Sequence, residues 1–335
     1  MNPLGALGLP SVGGDLERFE PLLAESVVIG DSYLDQVTTH LIAAGGKRLR
    51  PLLAFASATG GSGEASQEVL LGGVALELMH LASLYHDDVM DEALVRRNVQ
   101  SVNARFGNLI AIVAGDYLMA RSAAIAADLG TEIAGLLART LASLTRGQVA
   151  EVRTSFRVDR TVDEYFEAIG GKTAALMSSA CRVGALTGGR DPEVAAALTN
   201  FGHAFGMVFQ IRDDVLDLLA FGDDALGKPA GQDLAEGIYT LPVIIALHDT
   251  AAKGELGALL GQPLDEPERE KARLLVTQTD SVERALDLGR AWAATALDTL
   301  CELREPPLRD GFGALIEAML DDLALACATR GEPTR

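Results

Sequence analysis

Residues 65–91 read ASQEVLLGGVALELMHLASLYHDDVMD, an apolar run that ends in three aspartates. Leu70, Leu71, Val74, Leu78, Leu81, Ala82 and Tyr85 recur close to a 3.6-residue period, so the stretch predicts a helix. Asp87 and Asp91 are four residues apart and share a face of that helix, with Asp88 about 100° around it. A negative cluster at a helix C-terminus gains nothing from the helix dipole. Two like charges about 4 Å apart cost roughly 1 kcal/mol in water and about 4 kcal/mol at an effective dielectric of 20. A solvated acidic helix end is the bland explanation. A bound cation is the other.

The same pattern returns 126 residues further on. QIRDDVLDL places Asp213, Asp214 and Asp217 at identical spacing behind another long apolar run. Two aspartate-bearing helix ends facing each other across a bundle would form an oxygen-only site. Such a site suits Mg²⁺, which takes one or two carboxylates, waters and substrate phosphates. His40, His80, His86, His203 and His248 are not at ligand spacing with cysteines, which argues against zinc.

The rest of the chain sets the frame. It has 335 residues, 48% hydrophobic and 5% aromatic. Its core is therefore built mostly from Ala, Leu, Val and Ile, which favours helices. Similar apolar stripes lie near 108–128, 131–153, 162–186, 192–220, 236–249, 268–302 and 308–328. Glycine and proline punctuate them at 60–66, 188–192, 261–268 and 304–307. No segment alternates convincingly at period two, and no repeat or long linker divides the chain. The expectation is one all-α domain over 1–335, a large bundle, with 1–30 as an N-terminal extension or first helix.

A net charge of −19 argues against a binder of the nucleic-acid backbone. Three cysteines, Cys181, Cys301 and Cys327, form no disulfide framework, which suits a reducing cytoplasm. The N-terminus shows no signal-peptide pattern. Residues 194–211 carry no formal charge, yet they hold Thr199, Asn200, His203 and Gln210 and run into RDD. They read as a central bundle helix rather than a membrane span.

Basic clusters stand beside glycines: GGKRLRP gathers Lys47, Arg48 and Arg50, VRRN gives Arg96 and Arg97, GGKT gives Lys172 and Thr173, and LGKP gives Lys228. Arginine grips a diphosphate bidentately and lysine acts as a point charge. GGKT lacks the full P-loop spacing and follows a helix, which excludes an ATPase reading.

Together, GGKRLRP, LMHLASLYHDDVMDEALVRRN, GDYLMARS, GKTAAL, FQIRDDVLDL, GKPAGQDL and EGIYTLP resemble the trans-isoprenyl diphosphate synthase (polyprenyl synthetase) family. They span residues 45 to 243, in that family's order. The C-terminal remainder resembles it only as helices. The resemblance implies an isoprenoid-synthase bundle with a central active-site cavity. It implies a head-to-tail (1′-4) condensation of isopentenyl diphosphate onto an allylic diphosphate, in a homodimer with no transmembrane segment. Asp87, Asp91, Asp213 and Asp217 would hold Mg²⁺, three ions per site with substrate bound and Mn²⁺ able to substitute; Asp88 and Asp214 would support them. Lys47, Arg50, His80 and Arg97 would bind isopentenyl diphosphate. Arg96, Lys172, Thr173, Gln210 and Lys228 would bind the allylic diphosphate. For His80, a buried helix histidine bonded to backbone is the bland alternative.

Two departures from the family's pattern stand out. Asn98 occupies the usual glycine position after the paired arginines, and asparagine tolerates left-handed backbone. Ile238 stands where many members carry a lysine for the allylic diphosphate.

Product length turns on the helix above Asp87. Ala82 and Ser83 are small where short-chain members commonly hold aromatic rings. Leu78 and Met79, then Val74 and Ala75, follow at turns of about 5.4 Å. This favours a long-chain all-trans polyprenyl diphosphate. Geranylgeranyl diphosphate is the alternative if the strip of Tyr117, Leu118 and Ala120 provides a floor, with Tyr117 the bulky candidate. A terpene cyclase would have no use for GGKRLRP, and a non-catalytic subunit would have lost one aspartate motif.

Overall fold

The computed structural model describes residues 2–219, 231–249 and 253–329, without the side chains of 253 and 326–329. Helices α1 (Pro3–Leu7), α2 (Pro10–Ser26), α3 (Ser32–Ala43) and α4 (Leu49–Thr59) lead into α5 (Gln67–Met90). A hairpin of β1 (Val95–Arg96) and β2 (Val99–Gln100) follows. Then come α6 (Val102–Phe106), α7 (Asn108–Asp128), α8 (Thr131–Thr154) and α9 (Val162–Ile169). A π-helical turn, Gly170–Ala174, joins α9 to α10 (Ala175–Thr187), and α11 (Pro192–Leu219) comes next. The remaining described helices are α12 (Gln232–Ala235), α13 (Leu241–His248), α14 (Lys253–Leu259), α15 (Glu266–Thr277), α16 (Ser281–Leu300) and α17 (Pro306–Thr329).

The all-α expectation holds, with one small exception. β1 and β2 pair antiparallel, Val95 with Gln100 and Arg96 with Val99. Strand alternation over two residues is too short to show in the sequence. The predicted 162–186 helix is interrupted by the π-turn. The predicted 268–302 stripe is two helices, because α15 is capped at Gln278 and the Ser281 amide bonds the Thr279 hydroxyl. The 236–249 stripe forms a helix only from Leu241, with Pro242 in its first turn.

Helix starts follow side-chain chemistry. Ser66 accepts a hydrogen bond from the Val69 amide at the start of α5. Thr161 with Glu164, and Asp265 with Glu268, form capping boxes on α9 and α15. Helices α5 and α11 are apolar on most sides and are buried accordingly. Helix α5 packs along α7 and α4, and α11 lies against α10, α16 and α17. The two aspartate clusters therefore belong to largely buried helices.

Helices α5, α7 and α11 are long and apolar enough to cross a membrane by length and composition. In α11 the uncharged run 194–211 packs Leu198, Phe201, Phe205 and Val208 into the core. Helix α7 is different. Leu109, Ile112 and Val113 remain exposed along one of its faces.

Candidate active site

The last turn of α5 fixes the first aspartate cluster. Asp91 caps the helix, its amide bonding the Asp87 carbonyl at 2.8 Å. Asp87 and Asp91 face the site. Asp88 points inward and is buried, gripped by Arg96 through Nε at 2.7 Å and Nη2 at 2.6 Å. Asp88 thus ties the hairpin to the end of the helix. Arg96, expected on the allylic diphosphate, is engaged with Asp88. Burial pushes the Asp87 carboxyl up to about 6, with Lys172 opposing and Asp91 reinforcing the shift. Asp91 is raised for the same first reason, burial.

Lys172 is delivered by the π-turn. Gly147 on α8 and Gly171 on that turn let the two backbones touch. A Cβ on Gly147 would lie 2.7 Å from the Ala168 carbonyl oxygen, and one on Gly171 would lie 2.9 Å from the Ser143 carbonyl oxygen. A π-turn places one surplus residue in the helix, and such turns are frequent at functional sites. Here it aims successive side chains at different helices. Lys172 Nζ sits 2.5 Å from Glu151 Oε1. Burial would lower the lysine pKa, but Glu151, Asp87 and Asp91 raise it overall, so the ammonium stays charged. Thr173 donates to Gln210 Oε1 at 2.7 Å, and Gln210 donates in turn to Asp214 Oδ1 at 2.7 Å.

The second cluster has the same division of labour. Asp214 is buried and accepts from Tyr165 at 2.6 Å as well as from Gln210. Burial drives its carboxyl up to about 7 despite those two hydrogen bonds. Asp213 is held by Arg212 at 2.6 Å, and burial raises it too. Asp233 lies close to Asp217, Asp214 and Glu236, and burial followed by those charges holds it well above the usual carboxylate range. The two clusters share neighbours: Glu151 acts on Asp87, Asp91 and Asp214, and Glu236 acts on Asp91 and Asp233. The ends of α5 and α11 therefore face a common space.

Among the described residues, no three His, Cys, Asp or Glu side chains stand close enough to form a ready-made metal site. The donor set still fits a hard divalent ion. All the donors are oxygens, they come from two opposed walls, and burial raises the carboxyls of Asp87, Asp91 and Asp213. Mg²⁺ needs no dedicated protein cage, because water and substrate phosphate complete its shell.

A separate cationic pocket of about 240 Å³ gathers Lys47, Arg50, His80 and Arg97, with Glu77 and Phe209. The four residues expected to hold isopentenyl diphosphate are thus together. Arg50 Nε is buried without a hydrogen-bond partner. Burial lowers Arg50 to about 10, with Glu77 opposing and Arg97 reinforcing. Burial, then Arg50 and Arg97, push His80 well below its ordinary value, so its ring is neutral at pH 7.

The hairpin orients Arg97. Arg97 and Asn98 both adopt left-handed backbone, φ 53° and 62°, as a two-residue turn matched to strand twist requires. Asn98 therefore fills the usual glycine position without loss of the turn. Arg97 donates to the Leu41 carbonyl at 3.0 Å and to the Gly45 carbonyl, and lies 3.8 Å from Glu77.

Arg50 and His80 also line a larger cavity of about 580 Å³, with Asp87, Lys172 and Thr173 around its head. Ser83, Ile112, Met119, Leu141 and Leu144 line its apolar part. Ser83 is thus placed as expected, its hydroxyl bonded to the His80 carbonyl at 2.8 Å. Ala82 and Met79 are buried but are not among the lining residues, and neither is Tyr117. On α7 the lining positions are Ile112, Asp116 and Met119, four and three residues apart. Tyr117 lies one residue, about 100°, off that face.

Lys228 lies outside the described residues. Ile238 leaves the family's lysine position apolar. It is half-buried beside Gly237, whose backbone (φ 72°) packs under the Phe156 ring.

Glu77, Glu151, Asp233 and Glu236 were not singled out from sequence. Glu77 sits within the apolar helix α5, where its charge was the available signal, and Glu151 lies on the amphipathic helix α8, where a charge is ordinary. Asp233 and Glu236 fall inside the quoted GKPAGQDL and EGIYTLP segments.

The sequence model described as polyprenyl synthetase matches residues 31–276. The chain is 38% identical over 310 residues to the nonaprenyl diphosphate synthase of Mycobacterium tuberculosis, covering 92% of each. It is 37% identical over 317 residues to heptaprenyl diphosphate synthase component 2 of Geobacillus stearothermophilus, covering 94% of this chain and 96% of that one. Among solved structures, the polyprenyl synthase from Caulobacter crescentus complexed with calcium and isoprenyl diphosphate superposes with a TM-score of 0.87. It is 28% identical, with 94% and 97% of the two chains covered.

Proposed function

The chain belongs to the polyprenyl synthetase family and is a trans-prenyltransferase, and on that premise we propose that it extends an allylic diphosphate with isopentenyl diphosphate to a long-chain all-trans polyprenyl diphosphate. One observation carries the two-substrate reading. Arg50 and His80 form the shared wall between the cationic pocket and the cavity headed by Asp87 and Lys172. Two diphosphate sites thus meet at one partition. A terpene cyclase, which ionises one diphosphate, has no use for the second.

The residues divide the work. Lys47, Arg50 and Arg97 hold the isopentenyl diphosphate, and neutral His80 offers a ring nitrogen as hydrogen-bond partner without adding charge. Lys172 and Thr173 bind the allylic diphosphate, with Gln210 and Asp214 fixing Thr173. Asp87, Asp91, Asp213 and Asp217 would hold Mg²⁺, which when bound supplies positive charge to the departing diphosphate. Three ions per site and tolerance of Mn²⁺ belong to the same reading. The allylic cation is attacked by the isopentenyl double bond, and the released diphosphate takes the lost proton. The apolar cavity keeps water from the cation and receives the growing chain. Small Ser83 leaves its entrance open, which supports a long product over geranylgeranyl diphosphate.

The proposal extends to assembly and location. Leu109 and Val113 form an exposed face on α7, with Val152 exposed on α8, none of them among the cavity-lining residues. A second copy covering this face would give the homodimer. The Geobacillus relative is named as a component, which makes an unlike subunit the competing occupant. The apolar faces of α5 and α11 are consumed by packing, which supports a protein without a membrane span. Cys181 and Cys301 are free thiols, in keeping with a cytoplasmic location. We read 1–335 as one synthase domain.

The deciding experiment incubates purified protein with Mg²⁺, isopentenyl diphosphate and each allylic primer in turn. Chromatography of the dephosphorylated products should show chains longer than geranylgeraniol. Products stopping there would overturn the long-chain reading. Cyclic hydrocarbons formed without isopentenyl diphosphate would overturn the synthase reading.

A further inference from the structure

The polyprenyl synthetase match ends at residue 276, yet the last helix reaches the second aspartate cluster. Arg212 on α11 is buried. Its Nη1 donates to Asp213 Oδ1 at 2.6 Å, and its Nη2 donates to Asp322 Oδ2 on α17. One guanidinium thus serves two carboxylates. Asp213 belongs to the set that would hold metal. Asp322 stands behind it, on the far side of the arginine.

A cation already seated on Asp213 competes with an incoming divalent ion for the same oxygen lone pairs. The outcome depends on what the arginine has left when Asp213 is taken. A buried guanidinium stripped of its partners is strongly unfavourable. With Asp322 present, Arg212 keeps a carboxylate after Asp213 turns to the metal. Without it, the carboxylate partner remaining to Arg212 among the described residues is Asp213 itself.

We propose that Arg212 is the resident counterion of Asp213 and that Asp322 sets how readily it yields Asp213 to the divalent ion. Asp322 is thereby a positioning residue for the second cluster, acting through Arg212 and never touching substrate. This rests on the metal-binding reading given above.

Binding is tested on the full chain with Mn²⁺ as the probe, alone and with inorganic pyrophosphate. Free Mn²⁺ is followed by electron paramagnetic resonance. Asp322→Asn should raise the half-saturating Mn²⁺ concentration about three- to tenfold, in line with coupling energies in contacting charged networks. Asp322→Glu should restore the wild-type value. In an Arg212→Gln background, Asp322→Asn should shift half-saturation by less than about twofold, because the competitor is gone. Melting temperatures in chelator accompany each variant, so that a loss of fold registers separately. An unchanged half-saturation in Asp322→Asn overturns the inference. So does an equal rise in the Arg212→Gln background, which would mark Asp322 as merely structural. A wild-type chain that binds no Mn²⁺ would overturn the metal reading, and the inference with it.

Discussion

Glu77 Oε1 lies 3.0 Å from the Arg48 guanidinium and 3.8 Å from that of Arg97, directly beneath the cationic pocket. This carboxylate is buried, and it also draws on Arg50. It is the anion that lets several arginines crowd together before any diphosphate arrives. Glu77→Gln keeps the shape and removes the charge. Breaking a buried charge network costs about 3–5 kcal/mol, so denaturant unfolding should shift by that order. The KM for isopentenyl diphosphate should rise while that for the allylic substrate changes less. Unaltered stability and KM in this variant would show that Glu77 does not organise the pocket.

The carboxyls of Asp87 and Asp91, and of Asp213, are expected to work as a pair of clusters. Asp87→Ala or Asp213→Ala should each abolish turnover at saturating Mg²⁺ while far-ultraviolet circular dichroism stays native. Turnover near the wild-type rate in either variant would refute a metal site built from both helices.

Folded-state protonation predicts a pH signature. Asp87 is raised to about 6 and Asp214 to about 7, both from an ordinary 3.8 and both chiefly by burial. A carboxyl raised by folding favours the fold while protonated. Its contribution is complete below the ordinary value and is lost as pH climbs through about 6 to 7. The metal-free chain should therefore melt at lower temperature near pH 8 than near pH 5. Mg²⁺ binds the ionised carboxylates, so its stabilising shift should grow over the same window. A melting temperature in chelator that is flat across this range would contradict the burial of these groups.

Gly147 allows the contact that presents Lys172. A methyl group at this position would meet the Ala168 carbonyl oxygen at 2.7 Å, and overpacking of this kind costs about 1–3 kcal/mol. Gly147→Ala should displace the π-turn and weaken allylic substrate binding. Lys172→Ala should do the same by about ten- to a hundredfold, the worth of a charge-assisted hydrogen bond. Neither change should alter isopentenyl diphosphate binding comparably. Titration of each substrate separately checks this, and equal effects on both would collapse the two-pocket assignment.

The cavity wall predicts product length. Ser83→Phe places a ring just below the reaction centre, so elongation should stop at farnesyl or geranylgeranyl diphosphate with the first condensation little changed. Met119→Ala should lengthen the product, because Met119 lines the apolar part of the cavity. Tyr117→Ala should leave the chain length as it is. Product chromatography that shows lengthening by Tyr117→Ala and none by Met119→Ala would reverse the assignment of the α7 face.

The sequence made the architecture legible wherever a local pattern sufficed. Asp87 and Asp213 each follow a helical run apolar on most sides, and that combination predicts an enclosed helix with a charged segment toward one end. The four cationic-pocket residues were legible because short motifs carry them. Asn98 was legible because its side chain tolerates left-handed backbone. Other parts depend on geometry that no local pattern records. Arg48 lines the cationic pocket beside Lys47 and Arg50, yet its guanidinium is engaged by Glu20 and Glu77, and its backbone is left-handed (φ 45°). Tyr117 missed the cavity by a single step of helical rotation. Asp322 meets Arg212 across 110 residues, and nothing near either position announces the pairing.

The π-turn at Gly170–Ala174 has a consequence for how this chain tolerates changes in length. A turn of this kind holds one residue more than a regular helix would use over the same rise. Deleting Gly171 would give a shorter, more ideal helix from α9 into α10, and by local propensity a better one. The flanking helices would keep their register, but the widened turn that aims successive side chains at different helices would be gone. Lys172 could no longer meet the aspartates of α5 while Thr173 meets Gln210 on α11. The segment is therefore expected to accept no deletion, because its surplus residue is what joins the two walls.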